Sequence, residues 1–376
     1  MRRVVILQEY IPTYRVPFFE ALRARAAKEQ IDLVVACGRP NETQELRGDS
    51  STVGFVRYLR QRELSVLGRR IVYRRVAETI RGADLVILEQ ARRNLDSYWL
   101  LGAARRRTTQ VALWGHGRDY TRPTKSVDRF IQRWLTLRAD WFFAYTMGGI
   151  RAVVSDGFPE NRTTLVQNSI DTRALGRNLA DISDATVEAF ETEFDLKGTT
   201  ALFLGALDDS KRLPFLVGAA KRCSQEDPDF RLIIAGDGPL KPDVERWALE
   251  YPWLTYLGKV DGEVKALALA TSQALAIPGR VGLVAVDSFA AGVPIVTTNW
   301  PWHAPEFEYL QDGSNSVISD DSVEAYSRSL LLTLADTGLL TKLREGCSHA
   351  RESITVEKMV ENFFEGMSSV LAGRQP

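Results

Sequence analysis

The chain has 376 residues, no net charge and 45% apolar residues, the composition of a globular protein long enough for two domains. Its apolar start is too short for a signal peptide, and no window reaches the ~20 apolar residues that span a bilayer. Three distant cysteines and three histidines offer neither a disulfide framework nor zinc-type spacing, so we expect a cytoplasmic protein without a metal site.

Charge is distributed unevenly along the chain. Residues 1–175 carry 30 Lys and Arg against 18 Asp and Glu, which leaves 18 against 30 for the remainder. Seven arginines lie between Arg57 and Arg75, interleaved with apolar residues such as Leu64 and Val66. This pattern predicts either a solvated basic face or a peripheral contact with the inner face of an anionic membrane. No nucleic-acid-binding module accompanies the arginines, so no nucleic-acid partner is expected.

Short apolar runs alternate with helix-like stretches in the first half of the chain. The predicted strands are Val4–Leu7, Leu33–Ala36, Leu85–Leu88, Val111–Trp114, Trp141–Tyr145 and Thr164–Val166. Stretches such as Pro17–Glu29 and Ile71–Ile80 are predicted helices. Continuous apolar strands with intervening helices are typical of a parallel sheet covered on both faces. This domain is expected to end at residue 175, followed by a polar connector over 176–198 with one short helix at Asp184–Phe194.

The same alternation begins again after the connector and continues over 199–355. The predicted strands are Ala201–Phe203, Arg231–Ala235, Leu254–Leu257, Ala274–Ile277, Pro294–Thr297 and Ser316–Ile318. The predicted helices are Leu213–Cys223, Lys241–Glu250, Glu263–Ala270 and Leu283–Ala291. Two doubly wound parallel sheets in tandem are expected to face each other across a cleft at the carboxyl ends of their strands. A last helical stretch over 356–376 is expected to pack back on the N-terminal domain.

Three loops that follow strands of the second half have the composition of a phosphate site. Gly279 and Gly282 lie between a strand and a helix, where close backbone approach and the positive helix end suit a diphosphate. Asp287 lies one turn into that helix, on a face that could meet ribose hydroxyls. A second glycine turn, Ala235–Pro239, follows another strand. Lys211 directly precedes a further helix, where its ammonium group could reach a phosphate.

The order and spacing of these loops resemble the C-terminal half of the retaining GT-B glycosyltransferases of family 4, the glycosyl transferases group 1. The segments Ile11–Phe19, Trp114–Gly117 and Val166–Asp171 are similar to N-terminal loops of that family. The resemblance covers nearly the whole chain and implies an α/β fold of two Rossmann-like domains. It also implies transfer of a hexose from a nucleotide-diphosphate sugar to a glycan, lipid-linked or small-molecule acceptor. Retention of anomeric configuration, without a metal or a cofactor, is part of the same implication.

The resemblance assigns roles to individual residues. Lys211 would neutralise the donor diphosphate, Asp287 would hold the ribose, and His116 would line the donor-sugar pocket, with burial in a core as its alternative. The implied donor-binding set is Gly205, Gly236, Gly238, Pro239, Val260, Gly279, Val281, Gly282, Leu283, Val284 and Asp287. Three polar residues after N-terminal strands are either acceptor contacts or ordinary loop positions: Arg15, Glu89 and Arg92.

Three positions depart from the family pattern. The family has a glutamate where this chain has Gly279, a second glutamate where it has Asp287, and commonly an arginine where it has Ala206. A catalytically degenerate GT-B subunit, which binds nucleotide and supports an active partner, therefore stays open as an alternative. A GT-B sugar-nucleotide epimerase is a third hypothesis. Nearby, Glu306 resembles a family position close to the donor, and His303 either covers the donor or packs inside the domain.

Overall fold

A computed structural model describes residues 1–45, 52–66, 68–102, 108–121, 125–196 and 198–373. The chain divides into two compact units, of which unit 1 comprises Met1–Ile170 with Val356–Pro376 and unit 2 comprises Asp171–Thr355. Lys197 of the predicted connector and residues 374–376 of the predicted C-terminal stretch lie outside the described residues.

A seven-stranded parallel sheet forms the centre of unit 1. The strands of this unit are Arg2–Gln8 (β1), Ile31–Cys37 (β2), Arg57–Tyr58 (β3), Gln61–Val66 (β4), Arg69–Arg74 (β5), Leu85–Glu89 (β6), Gln110–Gly115 (β7), Trp141–Ala144 (β8) and Thr163–Leu165 (β9). The sheet runs in the order β3-β2-β1-β6-β7-β8-β9, and β4 with β5 forms a separate antiparallel hairpin. The first helices are Val16–Lys28 (α1), Glu42–Glu45 (α2), Ala77–Ile80 (α3), Leu95–Gly102 (α4), Ser126–Thr136 (α5) and Met147–Ser155 (α6).

Unit 2 is built on a six-stranded parallel sheet. Its strands are Thr200–Leu204 (β10), Arg231–Ala235 (β11), Leu254–Gly258 (β12), Ala274–Ala276 (β13), Ile295–Thr298 (β14) and Ser316–Ser319 (β15), in the order β12-β11-β10-β13-β14-β15. Its helices are Arg173–Asp181 (α7), Asp184–Glu193 (α8), Leu213–Glu226 (α9), Lys241–Glu250 (α10), Gly262–Ala270 (α11), Val284–Ala291 (α12), Val323–Ala335 (α13) and Thr337–Ser353 (α14). Both sheets have the strand order of a doubly wound α/β fold, so the predicted fold class of two Rossmann-like parallel-sheet domains is confirmed.

The last helix, Val356–Ala372 (α15), completes the core of unit 1. Phe363 stacks on Phe143 with ring centroids 4.5 Å apart and meets the edge of Trp114 at 4.9 Å. A Cβ at Gly366 would lie 2.4 Å from Thr164 Oγ1 and 2.6 Å from the Phe143 ring. The helix therefore approaches the sheet so closely that this position has room for glycine only.

Two sequence-based predictions of secondary structure are wrong. The predicted helix Ile71–Ile80 is helical only over Ala77–Ile80, whereas Ile71–Arg74 belongs to β5. Its side chains alternate between the two faces, since Val72 is buried and Tyr73 is exposed, so the period is that of a strand. The polar connector also contains a second helix, α7, which covers its apolar positions against α11 and α12.

Candidate functional site

Three loops of unit 2 meet at the carboxyl ends of β10, β11 and β13. Because β10 pairs with both other strands, the loops that follow them are neighbours. The strand order changes direction between β10 and β13, and doubly wound sheets bind their ligands at such a switch point. Lys211 follows β10 and Gly279 follows β13, so the two residues lie on either side of it.

The glycine turn after β11 is in backbone contact with the loop after β10. Gly236 has φ +157°, and a Cβ there would lie 1.8 Å from the carbonyl oxygen of Gly205. A Cβ at Gly238 would lie 2.6 Å from the carbonyl oxygen of Leu207. The Gly236 N–H donates to the carbonyl oxygen of Gly258 at 2.7 Å. Since backbone atoms on both sides leave no space, the predicted glycines are required for this packing.

Two further predicted donor residues lie after strands β11 and β12, near this glycine turn. Pro239 is exposed at its end, and Val260 is partly buried directly after β12, which pairs with β11. Both therefore lie at the carboxyl edge of the unit 2 sheet.

Lys211 ends a short 3-10 turn beside the switch point. Asp208 caps the start of this turn, because its carboxylate accepts from the Ser210 N–H at 2.9 Å. The Lys211 Nζ donates to the carbonyl oxygen of Arg280 at 2.6 Å. Burial lowers the pKa of Lys211 to about 8, although the nearby Asp208 acts in the opposite direction. An ammonium group held in this way is stabilised by any anion that binds next to it.

Gly279 lies directly against that turn. A Cβ at this position would lie 2.5 Å from the Ser210 carbonyl oxygen and 2.6 Å from the Lys211 carbonyl carbon. The N–H of Arg280 donates to the same Ser210 oxygen at 2.8 Å, which fixes the contact. The site therefore has no room for the glutamate of the family pattern. Ala206, another of the three departures, is exposed and has space for a larger side chain.

Helix α12 begins beside these loops. Gly282, Leu283 and Val284 are partly exposed at its start, where amides of the first turn point away from the helix. Asp287 is only 8% exposed, and its Oδ1 accepts from the Lys265 Nζ of α11 at 2.7 Å. The carboxylate predicted to hold a ribose is therefore oriented by a cation from the neighbouring helix.

His303 holds the loop that precedes α12. Its Nδ1 accepts from the Val281 N–H at 3.1 Å, and its Nε2 lies 2.9 Å from the carbonyl oxygen of Thr298. This pattern assigns the proton of the neutral ring to Nε2, and burial lowers the pKa of His303 to about 4. The ring stacks on Phe307 with centroids 4.1 Å apart. Of the two alternatives for this histidine, the structure shows packing inside the unit.

The corresponding edge of unit 1 carries a cluster of acids and arginines. Glu9 follows β1 and Glu89 ends β6, on either side of that sheet's switch point. The Glu9 N–H donates to Glu89 Oε2 at 3.1 Å, and the Glu9 carboxylate accepts from Arg70, Arg93 and Gln44. Burial raises the pKa of Glu89. Burial acts the same way on Glu9, but Arg93 and Arg70 outweigh it and lower the pKa of that carboxyl.

The other predicted residues of unit 1 lie outside this cluster. Arg15 is 6% exposed, with its guanidinium 4.9 Å above the Trp114 ring. Arg92 donates to Gln132 Oε1 at 3.5 Å. His116 is exposed at the end of β7, with its ring 4.6 Å from that of Tyr145, so it is not buried in a core. Their roles toward donor and acceptor stay predictions.

Residues 198–336 match the family model described as Glycosyl transferases group 1. The match confirms the predicted resemblance over the C-terminal unit. Phosphatidyl-myo-inositol mannosyltransferase of Mycobacterium tuberculosis is 30% identical over 140 residues, which are 34% of this chain and 36% of the relative. The aligned region thus spans about a third of the length of the curated relatives that the chain matches.

Solved structures are similar over almost the whole chain. A glycosyltransferase from Rickettsia africae has a TM-score of 0.72 at 12% identity and covers 98% of both chains. HepE of Anabaena in complex with UDP has a TM-score of 0.67 at 16% identity, over 98% of this chain and 100% of that one. The fold is that of the GT-B glycosyltransferases. Sucrose-phosphate synthase from Thermosynechococcus elongatus shares this GT-B fold, with a TM-score of 0.69 at 13% identity over 99% and 100% of the two chains.

Sequence reasoning does not single out Glu9 and Lys265. The sequence could have indicated Glu9, because this residue comes directly after the first strand. Glu89 lies at the end of another strand of the same parallel sheet, so the two carboxylates are expected at the same edge. No sequence pattern indicates Lys265, since only the packing of α11 against α12 brings it to Asp287.

The described ranges contain no group of three or more His, Cys, Asp or Glu side chains arranged to hold a metal ion. None of the helices in the described part of the chain combines the length and apolar composition needed to cross a bilayer.

Proposed function

We propose that the protein is a glycosyltransferase that takes its sugar from a nucleoside-diphosphate donor bound by unit 2. The observation that carries this proposal is Lys211, a buried lysine whose Nζ donates to the Arg280 carbonyl oxygen at the switch point of the unit 2 sheet, within the residues that match the group 1 family model. A buried cation beside glycine turns and a helix start has the chemistry of a diphosphate site. In the proposed complex, Asp287, which accepts from the Lys265 Nζ, also accepts hydrogen bonds from the ribose.

The proposed reaction uses the same groups, with the retention of configuration that the family resemblance implies. The bond between the anomeric carbon and the donor phosphate breaks, and a bond to the acceptor hydroxyl oxygen forms on the same face, so configuration is retained. The departing phosphate oxygen takes the proton of that hydroxyl, and no separate carboxylate base is needed. Lys211 and the amides around Gly282 stabilise the negative charge of the leaving group, which makes a metal unnecessary. One charge-assisted hydrogen bond contributes about 1.5–3 kcal/mol, roughly tenfold to hundredfold in rate.

The substrates are assigned only by class. UDP-sugars are the first donors to test, because HepE, of similar fold, was solved with UDP-glucose as well as UDP. The acceptor is a hydroxyl of a glycan, a lipid-linked sugar or a small molecule, in the cytoplasm or at the inner face of the membrane. Glu89, beside Glu9 at the unit 1 switch point, is the first residue to test for acceptor contact.

A catalytically degenerate nucleotide-binding subunit is the second candidate. The observation in its favour is Gly279, where backbone atoms exclude the family glutamate that contacts the donor sugar. Nucleotide binding without turnover in the presence of every acceptor class would support it.

The deciding experiment is a thermal-shift and hydrolysis screen against UDP-, GDP-, ADP- and dTDP-sugars with EDTA present. Wild-type protein and Lys211→Met are compared. A donor that stabilises the wild type and is hydrolysed or transferred, with turnover reduced about tenfold or more in the variant, supports the proposal. Stabilisation without turnover supports the binding subunit, and no response to any nucleotide contradicts both.

Nucleotide binding is expected to weaken above pH 8. A bound diphosphate favours protonated Lys211, whose pKa in the free protein is about 8, so binding above that value requires proton uptake. Affinity for a nucleoside diphosphate should fall about tenfold per pH unit above 8, until the pKa of the complex is reached. Calorimetry between pH 7 and 9.5, in buffers of different ionisation enthalpy, measures both the affinity and the proton uptake. In Lys211→Met we expect neither the fall in affinity above pH 8 nor the proton uptake. If that variant keeps the pH profile of the wild type, the assignment of the profile to Lys211 is contradicted.

Lys265→Met is expected to weaken binding of a nucleoside diphosphate and leave inorganic pyrophosphate binding unchanged. The substitution removes the cation that orients the Asp287 carboxylate, which contacts ribose in the proposed complex. The expected loss is about tenfold, the scale of one charge-assisted hydrogen bond. Lys241→Met, which changes an exposed lysine of the same unit, is the control. Equal losses for both ligands would show that Lys265 acts on the fold rather than on the ribose.

A further inference from the structure

The β4–β5 hairpin presents an apolar outer face to solvent. Register pairs Leu64 with Ile71 and Val66 with Arg69. Leu64, Val66 and Tyr73 therefore share one face, and all three are exposed. The opposite face packs inward through buried Val72. Outward apolar side chains of this size have no role in the core of unit 1.

Helices α4 and α5 adjoin the hairpin and add exposed apolar side chains. The Arg69 Nη1 donates to Asp128 of α5 at 3.0 Å, and the Tyr98 ring of α4 stacks near Trp134 of α5. Strand β5 is also in contact with α4. Six apolar residues of the three elements are 47% to 66% exposed, and we call them the hairpin–helix surface: Leu64, Val66, Tyr73, Trp99, Val127 and Phe130.

The charge around this surface is positive. The three elements contain six arginines against three carboxylates. Each carboxylate accepts from an arginine: Glu63 from Arg70, Asp96 from Arg74 and Asp128 from Arg69. Three arginines of these elements, Arg62, Arg129 and Arg133, are in excess of the carboxylates. Arg129 pairs with Asp156, which lies outside the elements, at 3.3 Å, so an excess of two positive charges is left. Arg62 is exposed and lies on the same strand face as Leu64 and Val66.

We propose that the hairpin–helix surface docks unit 1 onto an anionic lipid bilayer. Apolar side chains surrounded by arginines fit the acyl boundary and the anionic headgroups together, whereas a protein partner would have to supply both an apolar and an acidic surface. Contact with the interface needs no spanning segment. The inference is independent of the donor site, because the surface contains none of the residues proposed to bind nucleotide.

Vesicle flotation of the full chain tests this proposal. Binding to phosphatidylcholine vesicles is expected only when about one third of the lipid is phosphatidylglycerol, and it should fall steeply between about 0.05 M and about 0.5 M salt. The double variant Leu64→Ser, Val66→Ser should lose about tenfold or more in affinity, and Arg62→Gln about fivefold. The matched control is Leu249→Ser with Leu332→Ser, two exposed apolar residues of unit 2.

Three results would overturn the proposal. They are absence of binding, equal binding to neutral vesicles, and equal binding by the hairpin double variant and the control. Light scattering without lipid tests the alternative that a second copy of the chain binds to this surface. Concentration-dependent dimers that disappear in Leu64→Ser, Val66→Ser would assign the surface to self-association instead. Unchanged thermal midpoints and intact nucleotide binding in each variant establish that the substitutions leave the fold in place.

Discussion

Lys211→Met is expected to reduce sugar transfer by about tenfold to hundredfold without lowering the thermal midpoint of the free protein. Burial lowers the pKa of Lys211 to about 8, so the folded free protein disfavours its charge. Between pH 8 and the ordinary lysine pKa of 10.5 the unfolded chain binds more protons than the folded one, so this group's destabilising effect declines as pH rises. The methionine side chain is one heavy atom shorter, carries no charge and so removes that effect, whereas the donor diphosphate loses its cation.

The control for this prediction is Lys221→Met, at an exposed position of helix α9. Steady-state transfer rates and thermal midpoints are measured with and without nucleotide for both variants. We expect nucleotide to raise the midpoint of wild type and of the Lys221 variant, and to raise that of the Lys211 variant much less. A Lys211 variant that unfolds at a lower temperature and keeps its activity would show that the lysine has a structural role.

Gly279→Glu, which introduces the family glutamate, is expected to abolish nucleotide binding rather than improve catalysis. The new Cβ would meet backbone atoms of Ser210 and Lys211 at about 2.5 Å, and those atoms cannot rotate away. The turn that carries Lys211 would have to move, and a displacement near 1 Å at a charged group costs about a hundredfold. Nucleotide titration measures the affinity and thermal unfolding measures the stability of the fold. We expect both the affinity and the thermal midpoint to fall.

Ala206→Arg is the matched substitution at another of the three departures from the family pattern. Ala206 is exposed on the same loop, so an arginine fits without moving the backbone, and its charge lies close to the proposed diphosphate. We expect unchanged stability and equal or higher nucleotide affinity. If Gly279→Glu instead raises transfer activity, the close contact with the Lys211 turn is not rigid, and the proposed explanation for the missing glutamate is wrong.

Much of the fold could be predicted from the sequence, because buried parallel strands are continuous apolar runs. Strand β11 and helix α10 have the predicted bounds, Arg231–Ala235 and Lys241–Glu250. The hairpin β4–β5 was missed because its arginines occupy both faces, which hides the period of two. Helix α7 was missed because its apolar contacts are made with distant helices and leave little local pattern.

The candidate site was predictable to the level of loops and not of contacts. The positions of Gly236 and Lys211 follow from strands whose ends must meet at one edge of a parallel sheet. The contact between Gly279 and the Lys211 turn joins segments about seventy residues apart in the sequence. A glycine in place of the family glutamate does not reveal which atoms lie where the glutamate side chain would be. The partner of Asp287 likewise depends on packing alone.

Unit 1 has its final helix at the very end of the described chain, and this arrangement sets an order of events during synthesis. Unit 2 is contiguous from Asp171 to Thr355, so every residue it needs has been made before α15 exists. Until Phe363 arrives, the ribosome-bound chain leaves Phe18, Trp114 and Phe143 without the aromatic ring that covers them. The half of the protein that is translated first is therefore the half that closes last, and its uncovered aromatic face is what chaperones would meet on the nascent chain.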